Sequence, residues 1–216
     1  MNRHLLVCVA LASASAFAPL AGLAADTLES IVPWETGDRA SFKWFLNGKT
    51  LQLEEEVTAA DGHRFALSQR TADRAYEVAG FSDDLRWTRG PCLSNGQQCA
   101  FDPGVGRGLL PLAKGRKWRS EFSVTGETFK ADVVQEREVE AVETVKLGPG
   151  PFQTWRVGFS GRVKGTDSKG SAFTGKESGT EWWAVTGSGK LVLVKFAYRN
   201  SFGEKATREI VSLGYR

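Results

Sequence analysis

Few side chains in this sequence have the types needed for acid–base, nucleophilic or metal chemistry. Beyond the first two dozen residues there is one histidine, His63, and there are two cysteines, Cys92 and Cys99. His63 follows Asp61-Gly62, and its unperturbed pKa near neutrality would suit a general base. No Gly-x-Ser-x-Gly element and no ligand-spaced motif accompanies it. We therefore expect a polar turn histidine, no catalytic residue, no metal site and no cofactor.

Acidic residues are the remaining candidates for chemistry. Paired carboxylates converge only in the folded chain, so a hydrolase that uses two of them stays open as a third functional class. Glu54, Glu55 and Glu56 form one acidic run. Consecutive strand residues face opposite sides, so these three cannot converge, and we expect a solvated edge strand. Asp83-Asp84 is expected to lie in a turn.

Closure by a disulfide is predicted for the two cysteines. An exported protein meets an oxidising compartment, where a Cys92–Cys99 bridge is favoured over free thiols. The six intervening residues do not match the Cys-x-x-Cys spacing of redox pairs. Closing this loop should stabilise the fold by roughly 2.5 kcal/mol in the chain-entropy model.

Export itself is predicted from residues 1–24, which have the features of a signal peptide. Asn2-Arg3-His4 gives a basic start, Leu5 to Ala18 is an apolar run, and small residues lead to Ala24. The run is too short for a bilayer, which takes about 20 residues, and no later stretch is long enough. We expect a soluble periplasmic or secreted product without a transmembrane segment after signal removal.

Net charge gives no indication of nucleic-acid binding. The signal contributes one arginine and no acid, so 28 − 1 = 27 basic residues face 25 acidic ones, a balance of +2. One basic cluster, Lys114, Arg116, Lys117 and Arg119, surrounds Trp118. We interpret it as a solvated strand end, with an anion site as the alternative.

Alternating apolar and polar residues predict an all-β chain from residue 25 to 216, forming one domain. Phe42, Trp44 and Leu46 share a phase, and Asn47-Gly48 is typical of a two-residue hairpin turn. Nearly all later connections are short, which favours sequential antiparallel pairing. We predict an antiparallel meander forming a strongly curved sheet or barrel-like fold, with a β-sandwich as second choice.

Two features interrupt the regular pattern. The stretch at about 91–115 contains the cysteine loop and several glycines and prolines, and we interpret it as a long connection. Gly161 interrupts the apolar face of a long strand, where glycine often marks a bend, a bulge or a close backbone approach.

Three blocks of residues resemble one bacterial pattern. They are Pro111-Leu112 with Gly115 and Trp118, then Leu147-Gly148-Pro149-Gly150-Pro151-Phe152 with Trp155 and Val157, and finally Trp182-Trp183 with Gly189-Lys190-Leu191-Val192. The chain is similar in these blocks to the TapB-like exported proteins, a family of unknown function. The resemblance implies an envelope protein with a β-rich, lipoprotein-carrier-like fold, and it brings no catalytic residues.

Aromatic side chains provide the remaining indication of function. Most of the seven tryptophans must fill the core, but the adjacent Trp182 and Trp183 point to opposite faces of a strand. One of them covers a second layer or faces a ligand. The predicted ligand-binding residues are Trp155, Phe159, Trp182, Trp183 and Phe196.

We therefore predict a non-catalytic binder of a lipid or another hydrophobic or amphipathic envelope molecule. The alternative is a structural or accessory protein that contacts another envelope protein through an edge or an exposed aromatic residue.

Overall fold

Antiparallel strands make up almost all of the structure, a computed structural model that describes residues 27–92, 97–106 and 108–214. The predicted signal segment, residues 1–24, lies outside these ranges. The described residues form fourteen strands and no helix, which confirms the predicted all-β class. No helix in these ranges is therefore long and apolar enough to cross a membrane.

The strands follow one another along the chain with short connections. They are β1 (Thr27–Leu28), β2 (Arg39–Leu46), β3 (Lys49–Ala60), β4 (Arg64–Arg70), β5 (Ala75–Phe81), β6 (Arg86–Pro91), β7 (Gln98–Val105), β8 (Leu112–Ala113), β9 (Lys117–Thr125), β10 (Phe129–Leu147), β11 (Gly150–Asp167), β12 (Ala172–Val185), β13 (Leu191–Asn200) and β14 (Lys205–Gly214).

Twelve of these strands close into one antiparallel barrel. The order around it is β10-β11-β12-β13-β14-β2-β3-β4-β5-β6-β7-β9, and β9 returns to β10. The short strands β1 and β8 pair separately. The predicted barrel-like meander is thus confirmed in preference to the sandwich.

The first hairpin forms as its sequence pattern predicts. Asn47 and Gly48 adopt φ angles of 47° and 87°, the left-handed conformation that a tight two-residue turn requires. Phe42 and Trp44 on β2 and Leu53 on β3 are buried on the inner face. Alternation and turn chemistry therefore agree in fixing this register.

The connection predicted at about 91–115 is shorter in the structure, because residues 98–105 form β7. The ladder between β7 and β9 ends at Asp102, opposite Ser123, and the next residue is Pro103, which has no N–H to donate. Only Val105 pairs again, with Trp87 of β6. The proline interrupts the pairing without ending the strand.

The predicted disulfide between Cys92 and Cys99 is present. Both cysteines are buried in a small apolar cluster with Phe122, Val124 and Val133. The bridge therefore closes the loop against the core at the β6–β7 connection. Residues 93–96 of that loop lie outside the described residues.

The solvated edge predicted for the acidic run is wrong for Glu55. Its buried carboxylate pairs with Nη1 of Arg208 on β14 at 2.9 Å and accepts a hydrogen bond from the Gln69 side chain on β4. Glu54 and Glu56 occupy the opposite face of β3. The reason is closure: β3 has a neighbour on each side, so it is no edge, and its inward position lies inside the barrel.

The barrel wall opens between β13 and β14, because these two strands pair along only part of their length. These strands pair only from Lys195 to Arg199, whereas β14 continues along β2 to Gly214. The end of the β12–β13 hairpin is consequently buried on both faces. Trp183 and Leu191 belong to one apolar cluster, while their neighbours Ala184 and Val192 belong to a second.

Both clusters draw residues from the first half of the chain. The first cluster includes Trp34, Val57, Phe65, Leu67, Val78, Leu85, Leu109, Leu112, Val139, Trp155, Val157, Trp183 and Leu191. The second includes Ala40, Phe42, Trp44, Leu53, Ala184, Val192, Val194 and Ile210. The hairpin end thus joins the two halves of the barrel.

A buried ion pair fixes the β12–β13 turn. The Lys190 ammonium lies 2.8 Å from Oδ2 of Asp38 and 3.1 Å from Oε2 of Glu35. Lys190 and Asp38 are each only 1% exposed. The Trp34 indole donates to the Leu191 carbonyl at 3.1 Å. Burial by itself lowers the pKa of Lys190, but the hydrogen bonds and charges of Asp38 and Glu35 outweigh it, so the net shift is upward.

Replacing Lys190 with methionine should destabilise the fold by about 3–5 kcal/mol, because the buried Asp38 carboxylate loses its cation. Chemical denaturation at neutral pH measures the change. Lys117→Met is the matched control, since its ion pair with Glu138 is exposed and should contribute at most about 1 kcal/mol. Equal losses in the two variants would contradict the structural role of the buried pair.

Candidate functional site

One candidate site is an open concavity of about 840 Å³ on the side of the barrel, which we call the β9–β13 cavity. Exposed side chains from five consecutive strands line it, namely Arg119, Glu136, Ser160, Arg162, Lys176 and Arg199. Short hairpins and the long β10–β12 strands bring these residues together. Its size is within the range of small-molecule sites.

The register of the strands sets the positions of the charges in this cavity. Glu136 lies opposite Arg119 on one side and Ser160 on the other. Ser160 in turn lies opposite Ser178, which lies opposite Arg199. One row of polar and charged groups therefore crosses all five strands.

Glu177 and Asn200 join the cavity to a polar network inside the barrel. Both line the cavity, and they face each other across β12 and β13. Glu177 accepts hydrogen bonds from the Gln135 amide at 2.6 Å and from the Tyr198 hydroxyl at 3.2 Å. The Asn200 amide donates to Glu204 at 2.6 Å. Hydrogen bonds from and to these neighbours thus hold the polar groups at the cavity floor in place.

Arg137 lies deeper in the same network. Its guanidinium pairs with Glu181 and donates to the Gln135 side-chain oxygen at 2.9 Å. It also lies over the rings of Phe159 and Trp118, at 5.1 and 5.7 Å from their centroids. A buried arginine needs such pairing, because an isolated buried charge is costly.

Burial shifts the pKa values of several groups in this network. Desolvation raises the pKa of Glu177 above its usual value, although hydrogen bonds from Gln135 and Tyr198 and the charge of Arg137 oppose the shift. Desolvation also raises the pKa of Glu204. Desolvation, followed by the nearby charge of Glu177, raises the pKa of the Tyr198 phenol.

The three predicted tryptophans pack within the protein. Trp155 and Trp183 are buried in the first apolar cluster, and Trp182 packs against the second. The Trp182 indole donates to Glu143 at 2.8 Å, and the Trp183 indole donates to Glu181 at 2.8 Å. Trp182 and Trp183 thus pack into two different apolar layers. Packing against a second layer was one of the two outcomes expected from the sequence.

The two predicted phenylalanines lie closer to the cavity. Phe159 and Phe196 both stack on Tyr198, with centroid distances of 6.5 and 6.1 Å, and the Tyr198 hydroxyl contacts Glu177 of the cavity floor. The five predicted residues therefore fall into two groups. The three tryptophans pack in the apolar clusters, and the two phenylalanines stack on Tyr198 behind the cavity. Ligand binding by either set stays a prediction.

Other candidates from the sequence lie away from this cavity. The His63 side chain is 85% exposed, and its Nδ1 atom is 3.9 Å from Asp83 in the β5–β6 turn. In the basic cluster, Arg116 donates to the carbonyls of Leu109, Pro111 and Gly108 and lies over the Trp118 ring. Arg119 alone of that cluster lines the cavity.

The backbone and side chains of neighbouring strands approach closely at Gly161, the glycine that interrupts the apolar face of β11. A Cβ atom on Gly161 would lie 2.8 Å from the Val134 carbonyl oxygen and 3.0 Å from Cγ of Gln135. Gly161 also lines the cavity, between Gln135 and Glu177 in the register. The absence of a side chain there allows the floor groups of the two neighbouring strands to meet.

Gln135, Arg137, Glu177 and Glu181 are site residues that the sequence analysis did not single out. Gln135 and Arg137 occupy the same inward-facing alternate positions of β10 as Val133, but they are polar where apolar residues are expected. This phase is the signal that could have identified them. Within the described ranges, no group of three or more histidine, cysteine or acidic residues is placed to hold a metal ion.

Comparisons with known proteins support the fold. No protein-family model matches the sequence, and no curated protein matches it. A protein of Parabacteroides distasonis described as a candidate lipoprotein has a similar structure, with a TM-score of 0.52, 11% identity, and coverage of 87% of this chain and 99% of that chain. At this identity the likeness concerns the fold alone.

Two further structures align over similar lengths. One is a candidate exported protein with a YmcC-like fold from Bacteroides fragilis, with a TM-score of 0.46, 13% identity, and coverage of 86% of this chain and 99% of that chain. The other is the hypothetical lipoprotein YmcC from Escherichia coli, with a TM-score of 0.47, 9% identity, and coverage of 85% of this chain and 89% of that chain.

Replacing Glu177 with glutamine should alter how stability depends on pH. Because the folded pKa of Glu177 is raised, the wild-type protein loses stability as pH rises from the unfolded value through the folded one, by about 1.4 kcal/mol per pKa unit. The variant lacks this loss, so its unfolding free energy relative to wild type should increase from pH 4 to pH 7.

Urea unfolding across that pH range measures the difference. Glu127→Gln is the control, because Glu127 is exposed in the bend between β9 and β10. A relative stability of Glu177→Gln that stays constant with pH would contradict the partly buried, ionisable position of this carboxyl.

Proposed function

We propose that this chain is an exported, non-catalytic binding protein of the bacterial cell envelope, and that it holds a polar or amphipathic ligand in the β9–β13 cavity. Export rests on the signal features of residues 1–24 and on the resemblance to the TapB-like proteins. The names of the structurally similar proteins, candidate or hypothetical lipoproteins and an exported protein, agree with this placement.

The single observation that carries the proposal is the cavity with its supported floor. Glu177 and Asn200 are held by hydrogen bonds to Gln135, Tyr198 and Glu204. Side chains fixed in this way lose little conformational entropy on binding, so they favour ligand recognition. Residues that only cover a solvated surface need no such network.

An amphipathic ligand fits the arrangement of the aromatic side chains. The stack of Phe159, Tyr198 and Phe196 lies directly behind the polar floor. The polar part of such a ligand would contact the cavity wall in front of this stack. Membership of the TapB-like family and the hydrolase alternative that uses carboxylates both stay predictions.

Native mass spectrometry of gently purified protein tests the proposal. Wild-type protein should retain an adduct of small-molecule mass, and Ser160→Trp should lose it because the indole fills the cavity. Ser123→Trp is the matched control, since Ser123 is an exposed residue of β9 outside the cavity lining. An adduct retained equally by Ser160→Trp would place binding elsewhere.

A second candidate function is an accessory contact with another envelope protein. Phe202 is 50% exposed and Phe45 is 37% exposed, and both line a concave surface of about 600 Å³. This surface lies between two hairpin turns that Asn47 connects through hydrogen bonds to Lys205. Exposed aromatic residues beside a concavity are typical of protein contacts.

Phe202→Ala should reduce recovery of a co-purifying envelope protein if this second function holds. Val211→Ser provides the control, because Val211 is similarly exposed, at 45%, but lies outside this concave surface. Affinity purification after mild cross-linking measures the recovery. The same partner yield from Phe202→Ala and wild type would count against the contact.

A further inference from the structure

Two cations face each other without a counter-charge on the wall of the β9–β13 cavity. Arg162 on β11 and Lys176 on β12 are direct partners in the antiparallel ladder. Like charges at directly opposite positions destabilise a strand pair. Salt screens this repulsion only in part, because Cβ atoms of directly opposite residues are about 5 Å apart, which is less than the Debye length of about 10 Å.

The neighbouring carboxylates do not neutralise this pair. Among residues 27–92, 97–106 and 108–214, no ion pair joins Arg162 or Lys176 to an acidic side chain. Glu136 lies opposite Arg119 and Ser160 in the register, Arg119 forms its ion pair with Glu121, and Glu177 is hydrogen-bonded within the network. Four basic and two acidic residues line the cavity, so its local charge is 4 − 2 = +2.

Hydrogen-bond donors surround the two cations. Ser160 and Ser178 lie opposite each other in the next row, and the Arg199 guanidinium donates to the Ser178 hydroxyl at 3.2 Å. Hydroxyl groups and guanidinium groups together bind oxyanions through short, charge-assisted hydrogen bonds. An oxyanion in this place would also remove the repulsion between Arg162 and Lys176.

We infer that the β9–β13 cavity recognises a ligand carrying more than one oxyanion group, either carboxylate, phosphate or sulfate, with Arg162, Lys176 and Arg199 as its principal contacts. The inference rests on the proposed function and specifies its ligand class. Ser160 and Ser178 supply further donors, and Glu136 orients the ligand by excluding its anionic groups from that side.

Isothermal titration with citrate and with inorganic triphosphate tests this inference, with maltotriose as a neutral probe. Both anions should bind, and their affinity should fall between about 50 and 200 mM salt because screening weakens exposed charge interactions. Arg162→Gln/Lys176→Gln should lower the affinity by at least about tenfold. Cosedimentation with phosphatidylglycerol vesicles identifies whether a lipid headgroup also supplies the anion.

Lys130→Gln/Lys164→Gln is the matched control, because it removes the same charge from exposed positions of β10 and β11 outside the cavity. Thermal unfolding gives an independent measurement. At low salt, Arg162→Gln/Lys176→Gln should melt at a higher temperature than wild type, and citrate should stabilise wild type but not this variant.

Equal affinity losses in the cavity variant and the control variant would overturn the inference, as would a failure of both anions to bind. Maltotriose binding that Ser160→Trp abolishes and salt does not affect would also overturn it, while supporting the proposed function. The adduct seen by native mass spectrometry tests ligand binding in the cavity independently. A failure of the anion inference can therefore be distinguished from a failure of the proposed function.

Discussion

The end of the β12–β13 hairpin is buried on both faces, and this double burial positions the other strands of the barrel. Because Trp183 and Ala184 face different apolar clusters, this segment cannot be part of a wall that is solvated on one side. The Lys190–Asp38 ion pair holds the turn where both clusters form. The opposite ends of β12 and β13 carry Lys176, Glu177, Arg199 and Asn200 of the cavity. Strands anchored at one end by packing thus carry the residues of the cavity at the other.

Polar groups inside the barrel specify the register that packing alone leaves open. Arg137 pairs with Glu181 and Arg208 pairs with Glu55, each between strands that are distant in sequence. A slip of one residue in either strand would turn a buried charge away from its partner and leave it unpaired. We therefore expect these pairs to contribute more to the uniqueness of the fold than to its stability.

How far the sequence determines this fold can be judged from β10 and its neighbours. Alternation correctly indicated strands, short connections correctly indicated a meander, and Asn47-Gly48 located the first turn. Strict alternation from Val139 would place Ala141 in the apolar phase of β10, but the register shifts between Val139 and Ala141, and Val142 instead packs with the first cluster. A bulge changes the phase without a distinct residue signal, so alternation cannot detect it.

Long-range polar pairs were beyond sequence reasoning for a different physical reason. Glu55 looked like one member of a solvated acidic run because its partner Arg208 follows many strands later, and only closure of the barrel brings the two together. The same holds for the cavity, whose cations are spread over β9, β11, β12 and β13 in a chain of nearly balanced charge. A sheet places every second residue of each strand on one face, so single charged residues from several strands come together on the same face. A chain of nearly balanced composition is therefore compatible with a local excess of positive charge.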